Sequence, residues 1–406
     1  MSVARPRRAA RLVLLLVSTG LSLLIAEVAL RVAGVANPNF YQPDVWRGWA
    51  LRPGAEGWQR KEGEAWVHVN SRGLRDEEHA IPKPAGELRI AFLGDSCTEA
   101  IQVPAESTFW ARLEKELAAS CPAVAGRPVQ SLNFGVSGYG TAQELLTLRH
   151  AVWDYQPDVV VLAFYSGNDV RNNERPLEQD PARPYFTLGP EPGGKASTLT
   201  LDTSFRQTGG YRLRRSWPGR LLYAVFNRSR LLQLGKQGKS AVDGWIGARK
   251  ARTQEKGAAL QELGLDNAVY EPPVEPEWRE AWTVTEAMLR AMRDDAAARR
   301  VPFGVASLTT GMQVHPDPAV RQAFAKKLGV PDLFYPDDRL SAFGAAQGIP
   351  VLALARPLRA QAERDKVYLH GFANAELGEG HWNEQGHAAA AREMAGWVCG
   401  LLGEGR

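Results

Sequence analysis

The sequence predicts an α/β protein built on a parallel sheet of five strands. Three observations carry this. Apolar runs of the length and composition of buried strands recur along the chain, amphipathic helical stretches separate them, and the runs end in turn-forming residues. Alternation of strand and helix requires crossover connections, which make a parallel sheet. The 406 residues, 44% hydrophobic and 23% charged, are enough for a sizeable core.

The N-terminus stands apart. Arg5, Arg7, Arg8 and Arg11 precede the apolar run from Leu12 to Leu30. As a helix those residues span roughly 28 Å, close to the hydrocarbon thickness of a bilayer. The arginines hold the N-terminal side in the cytoplasm. Residues 1–36 are thus expected to be a basic tip and a membrane or signal-anchor helix. A cleaved signal peptide is the alternative, with "VAGVA" at Val32–Ala36 as its processing site. Glu27 and Arg31 lie four apart and can pair near the outer boundary. Either way the bulk of the chain is exported.

Residues 37–85 read as a linker with short strands, in which Trp46, Trp49, Trp58 and Trp66 are scattered among Pro and Gly. The first sheet strand is "LRIAFLGDS" from Leu88. The helix "ESTFWARLEKELAAS" follows, with Phe109, Leu113 and Leu117 on one face. "VQSLNFG" is the second strand, "AQELLTLRHAVWD" a helix and "DVVVLAFYSGND" the third strand. The rhythm then stops, and residues 171–275 form an insertion or lid. Within it Leu221, Leu222, Val225 and Phe226 make an apolar helical face beside Arg220, Arg228 and Arg230. It reads as a helix packed on its own domain, with a lid or a membrane-surface helix as the alternative. The pattern resumes with the helix "EWREAWTVTEAMLRAMRDDAAARR", strand "PFGVASL", helix "RLSAFGAAQ", strand "IPVLAL" and closing helix "NEQGHAAAAREMAGWVCGLL".

Candidate chemistry gathers where parallel strands end, the usual place for sites in such sheets. Ser96 follows the first strand in "GDSCTEA", as a nucleophile or a helix cap. "NFGVSGYGT" after the second strand can offer backbone N–H groups to an oxyanion. Asn168 in "YSGND" can aim its amide into the same crevice. "GEGHWNEQGH" precedes the last helix and puts His381 on that edge, with Glu379 two residues before it. Together these compose a nucleophile, a base and a carboxylate behind the base. Asn383 is expected to cap the last helix and His387 to be structural.

These blocks resemble the SGNH hydrolase superfamily, also called GDSL esterases and lipases. The family's four named residues would be Ser96, Gly138 in "GVSGYG", Asn168 and His381, over about residues 86–170 and 278–402. The resemblance implies a flavodoxin-like three-layer α/β/α fold across a domain at 86–402. It also implies an oxyanion hole from the Ser96 and Gly138 N–H groups and the Asn168 amide. The anchor followed by "NSRGLRDEE" looks like a membrane-tethered bacterial subgroup, which implies a single-pass inner-membrane protein whose catalytic domain faces the periplasm. One departure stands out: family members carry Asp two or three residues before the histidine, where this chain has Glu379 and Gly378. Either Glu379 orients His381 or a Ser-His dyad operates.

The expected function is a serine esterase acting on ester-linked acyl groups, O-acetyl first, of envelope glycans, with lipid esters second. The alternatives are an O-acyltransferase delivering to a polysaccharide hydroxyl, and a non-catalytic glycan-binding scaffold motivated by the Asp-to-Glu change. In that architecture Cys121 and Cys399 are expected to form a disulfide, as export permits, and Cys97 to be a buried small residue.

Other classes are set aside. A net charge of +4 is too balanced for nucleic-acid binding. No CxxC or HExxH occurs, so neither a metal nor another cofactor is expected. The α/β-hydrolase elbow fails at Tyr139, and "GPEPGGKAS" at Gly189 lacks the Ser/Thr of a phosphate loop.

Overall fold

The computed structural model describes residues 5–190, 197–239 and 266–404. Five strands form the central sheet: β1 (Leu88–Gly94), β2 (Val129–Asn133), β3 (Val159–Phe164), β4 (Phe303–Ser307) and β5 (Val351–Ala353). Their order is β5-β4-β3-β1-β2, and every pairing is parallel. Read from the other edge, this is the 2-1-3-4-5 order of flavodoxin-like sheets.

Strand periodicity explains the layering. β1, β3 and β4 are buried along their whole length, so successive side chains must satisfy two different cores. Ala91, Leu93, Val160 and Leu162 face one core, shared with the helices Thr141–His150 and Pro276–Ala297. Ile90, Phe92, Val159 and Val161 face the other, with the helices Phe109–Ser120, Ala355–Asp365 and Glu384–Glu404. The α/β/α expectation is met. Cys121 caps the helix Phe109–Ser120 and is joined to Cys399 on the closing helix, with their Cα atoms 5.5 Å apart. Cys97 is free and buried.

After β4, two helices escaped the sequence reading: Pro318–Leu328, started by the Asp317 cap, and Ala355–Asp365. Each buries only three residues, Arg321, Phe324 and Ala325 in the first and Ala355, Leu358 and Ala362 in the second, so neither carries a strong apolar stripe.

The N-terminal helix runs from Arg5 to Val32, and its stretch Ala9–Val32 is long and apolar enough to cross a membrane. Such a helix can serve as an anchor or a signal sequence. The stretch read as a linker is ordered into two hairpins, Tyr41–Asp44 with Gly48–Leu51 and Glu56–Gln59 with Ala65–His68.

Between β3 and β4 the insertion contains a hairpin of Tyr185–Pro190 with Ser197–Asp202, then the helices Gly209–Arg215 and Trp217–Arg228. Leu221, Leu222 and Val225 are exposed, not packed on the domain as expected. Most of "GPEPGGKAS" lies outside the described residues.

Candidate active site

β1 delivers Ser96 to the carboxyl edge of the sheet. Its last residue, Gly94, has Thr98 and the Ala163 carbonyl so close that a Cβ would collide with both. Asp95 then caps the short helix Ser96–Glu99 by accepting from the Cys97 N–H at 2.9 Å. The cap is Asp95, not Ser96, which leaves the serine hydroxyl free for another partner.

That partner is His381. The Ser96 Oγ lies 2.8 Å from His381 Nε2. The histidine loop is pinned from several directions. The Asn383 N–H donates to the Leu369 carbonyl, and Asn383 Oδ1 caps the last helix through Gln385 and Gly386. Behind it, Trp382 Nε1 donates to Thr309 Oγ1 at 2.7 Å, and Thr309 meets His370 Nε2 at 2.8 Å. His370 Nδ1 reaches the Gly380 carbonyl at 2.7 Å. Burial first holds the His370 pKa down, to about 4. His370 is therefore neutral near pH 7, with Nδ1–H donating to Gly380 and Nε2 accepting from Thr309.

The carboxylate on His381 is Glu62, not Glu379. Glu62 Oε2 lies 2.6 Å from His381 Nδ1, and Glu62 Oε1 accepts the His381 backbone N–H at 2.6 Å. Both donors that Glu379 could have served are occupied. Glu379 makes no hydrogen bond or ion pair among the described residues. It sits between Gly378 and Gly380, at φ 88° and 72°. Gly380 must be glycine twice over, because its φ is left-handed and a Cβ would strike the Glu62 carboxylate.

Glu62 reaches the site from the turn of the 56–68 hairpin. Asn374 clamps that turn, accepting from the Gly63 N–H at 2.9 Å and donating to the Gly63 carbonyl at 2.9 Å. The 41–51 hairpin braces the loop after β2 instead. Trp49 Nε1 donates to the Ser137 carbonyl at 3.0 Å, and the Tyr139 hydroxyl donates to the Trp49 carbonyl at 2.6 Å. Tyr41 donates to Glu99, which also accepts from the Ser137 N–H.

Gly138 is left-handed at φ 78°, and its amide N–H has no partner among the described residues. Its carbonyl is held by Arg183 Nη2 at 2.8 Å. Asn168, on the short helix Ser166–Asp169 after β3, donates from Nδ2 to the Tyr139 carbonyl at 3.0 Å. This ties Asn168 to the Gly138 loop.

Electrostatics follow from this packing. Burial pulls the His381 pKa down, but the hydrogen bond and charge of Glu62 outweigh it, so the ring sits above the ordinary imidazole value. Burial pushes Glu62 up, yet its bonds to His381 bring it below the ordinary carboxylate value. Burial raises Glu379, helped by Glu376. Burial also drives the Cys97 thiol well up, which disfavours the thiolate. His387 is buried, accepts from the Phe109 N–H and is pushed well down by burial, a structural role.

Three more buried carboxyls, Asp95, Glu144 and Asp169, lie beside the same strand ends, and burial raises all three. Neither Glu144 carboxylate oxygen has a hydrogen-bond partner among the described residues. No group of His, Cys, Asp and Glu that could hold a metal is found among the described residues.

No protein-family model matches the chain, and no curated protein does. Among solved structures it is similar to an acetyl xylan esterase at 12% identity and a TM-score of 0.38, over 77% of this chain and 100% of the other. A lipolytic protein of the G-D-S-L family from Veillonella parvula matches at 12% identity and 0.33, over 76% and 96%. A catalytic mutant of an acetylxylan esterase from Geobacillus stearothermophilus matches at 10% and 0.35, over 78% and 94%. These three solved structures are thus a lipolytic G-D-S-L protein and two acetylxylan esterases.

Proposed function

We propose that the chain is a serine hydrolase of SGNH type that cleaves ester-linked acyl groups, O-acetyl first, on envelope glycans. The observation that carries this reading is the continuous relay from Glu62 through His381 to Ser96. With Nδ1–H donating to Glu62, the Nε2 lone pair faces the serine hydroxyl. Ser96 Oγ attacks the ester carbonyl as Nε2 takes its proton, and Glu62 stabilises the imidazolium. The Ser96 and Gly138 N–H groups and the Asn168 amide receive the oxyanion, each donor worth about 3 kcal/mol of barrier. His381 then protonates the leaving alcohol, and water releases the acyl group by the reverse sequence.

The scaffold reading drew its motive from the missing aspartate. Glu62 removes that motive, because a carboxylate does stand behind the base. The N-terminal helix supports a membrane-anchored enzyme with its site outside the cytoplasm, where acylated glycans lie. The test is p-nitrophenyl acetate turnover by the full chain and by Ser96→Ala. A loss of at least about 10³-fold is expected, and equal rates would end the proposal. Acetyl release to water, without transfer to an added oligosaccharide, is the outcome that favours an esterase over a transferase.

A further inference from the structure

The helix Trp217–Arg228 is mounted with its faces reversed. Its polar side meets the protein: the Tyr223 hydroxyl donates to the Tyr41 carbonyl, and Asn227 Oδ1 accepts the Asn39 N–H at 2.9 Å. Its apolar side faces out. Trp217, Leu221, Leu222 and Val225 are 69%, 50%, 71% and 48% exposed. At 100° per residue these four lie opposite Tyr223 and Asn227. A helix packed on a soluble domain does the opposite.

The charge is equally one-sided. Between Gly209 and Lys239 the chain has six arginines, two lysines and no acidic residue, in a protein whose net charge is only +4. Arg212, Arg214, Arg215 and Arg220 are exposed and form no ion pair among the described residues.

This basic, apolar face is joined to the outer end of the N-terminal helix. Glu27 accepts the Arg230 N–H at 2.9 Å, the Leu231 N–H at 3.1 Å and the Ser229 hydroxyl at 3.2 Å. Arg31 pairs with Glu27 and donates to the Arg228 carbonyl. Gln233 accepts the Asn37 N–H at 2.9 Å. Glu27 therefore caps the start of a third insertion helix, described over residues 230–239, a larger role than pairing with Arg31 alone.

We infer that segment 209–239 is a second membrane contact, lying on the outer surface of the bilayer that the N-terminal helix crosses. Trp217, Leu221, Leu222 and Val225 enter the acyl boundary, and the arginines meet anionic phospholipid phosphates. The inference rests on the reading of the N-terminal helix as membrane-spanning. Its consequence is a fixed height and tilt for the site above the bilayer. Tyr223 is bonded to Tyr41, and Tyr41 to Glu99, which accepts from the Ser137 N–H in the Gly138 loop.

The test uses the full chain reconstituted in vesicles of phosphatidylcholine, with or without phosphatidylglycerol. Leu222→Cys and Leu16→Cys each receive an environment-sensitive fluorophore, and acyl-chain spin-labelled lipid is the quencher. Cys97 is buried and the other two cysteines are joined, so only the introduced thiol reacts. The inference predicts loss of about half the emission at both positions, larger at 222 when phosphatidylglycerol is present. Quenching at 16 but not at 222 overturns the inference and leaves the anchor standing, including the case where a protein covers the face and the emission is blue-shifted yet unquenched. Quenching at neither position sinks the anchor reading itself. Equal quenching at 222 in the two vesicle types would overturn the assignment of the arginines to lipid phosphate.

Discussion

Glu62 and His381 are separated by 319 residues, and their side chains meet at 2.6 Å. The carboxylate grips the histidine twice, through the ring Nδ1 and through the backbone N–H. Such a grip sets the tautomer and the orientation of the ring together. The two acidic candidates can be told apart. Glu62→Gln is expected to lower kcat by about 10²–10⁴-fold with p-nitrophenyl acetate, while Glu379→Gln stays within about 2-fold. The reverse ranking would return the role to Glu379.

The pH profile gives an independent check. His381 must be neutral to take the serine proton, so kcat/KM rises as pH passes through the pKa of the free enzyme's imidazole. Glu62 holds that pKa above the ordinary value of 6.5. The acidic limb of the wild-type profile is therefore expected above pH 6.5, and in Glu62→Gln it moves to lower pH. An unmoved limb would mean that another group titrates there.

How much of this was legible in the sequence depends on distance along the chain. Ser96, Gly138, Asn168 and His381 stand beside strands or helices whose apolar runs announce themselves, so their common edge could be read. Glu62 lies in a hairpin turn, "KEGE", where a glutamate is ordinary. Its meaning comes only from the Asn374 clamp and the glycine at 380, contacts that no local pattern encodes. For the same reason 37–85 read as a linker, although its hairpins supply Glu62, Trp49 and Tyr41 to the site. The face at Leu221 was visible as amphipathic, but periodicity alone does not say which side meets the protein.

His370 is expected to act as a positioning residue. Replacing it with Phe removes the donor to the Gly380 carbonyl and the acceptor for Thr309. A fall of about 10-fold in kcat with KM nearly unchanged is expected, since the ring of His381 would be held less firmly. Equal changes in kcat and KM, or none, would contradict it.

Glu144 makes a prediction about stability. Burial raises its pKa in the folded state, so the folded protein binds that proton more tightly than the unfolded chain. Stability from this group is complete below the unfolded carboxylate pKa and declines as pH rises toward the folded one. Glu144→Gln is expected to flatten the decline, raising stability at pH 8 relative to pH 4 in urea unfolding. A parallel pH dependence in the two proteins would contradict it.

In the proposed mechanism Ser96 is nucleophilic because His381 takes its proton. The most direct measurement is intact-mass and peptide mass spectrometry after treatment with a fluorophosphonate. One adduct on Ser96 is predicted for the wild-type chain, and none for His381→Ala under the same conditions. No adduct on the wild type, or an adduct on a different serine, would contradict the account.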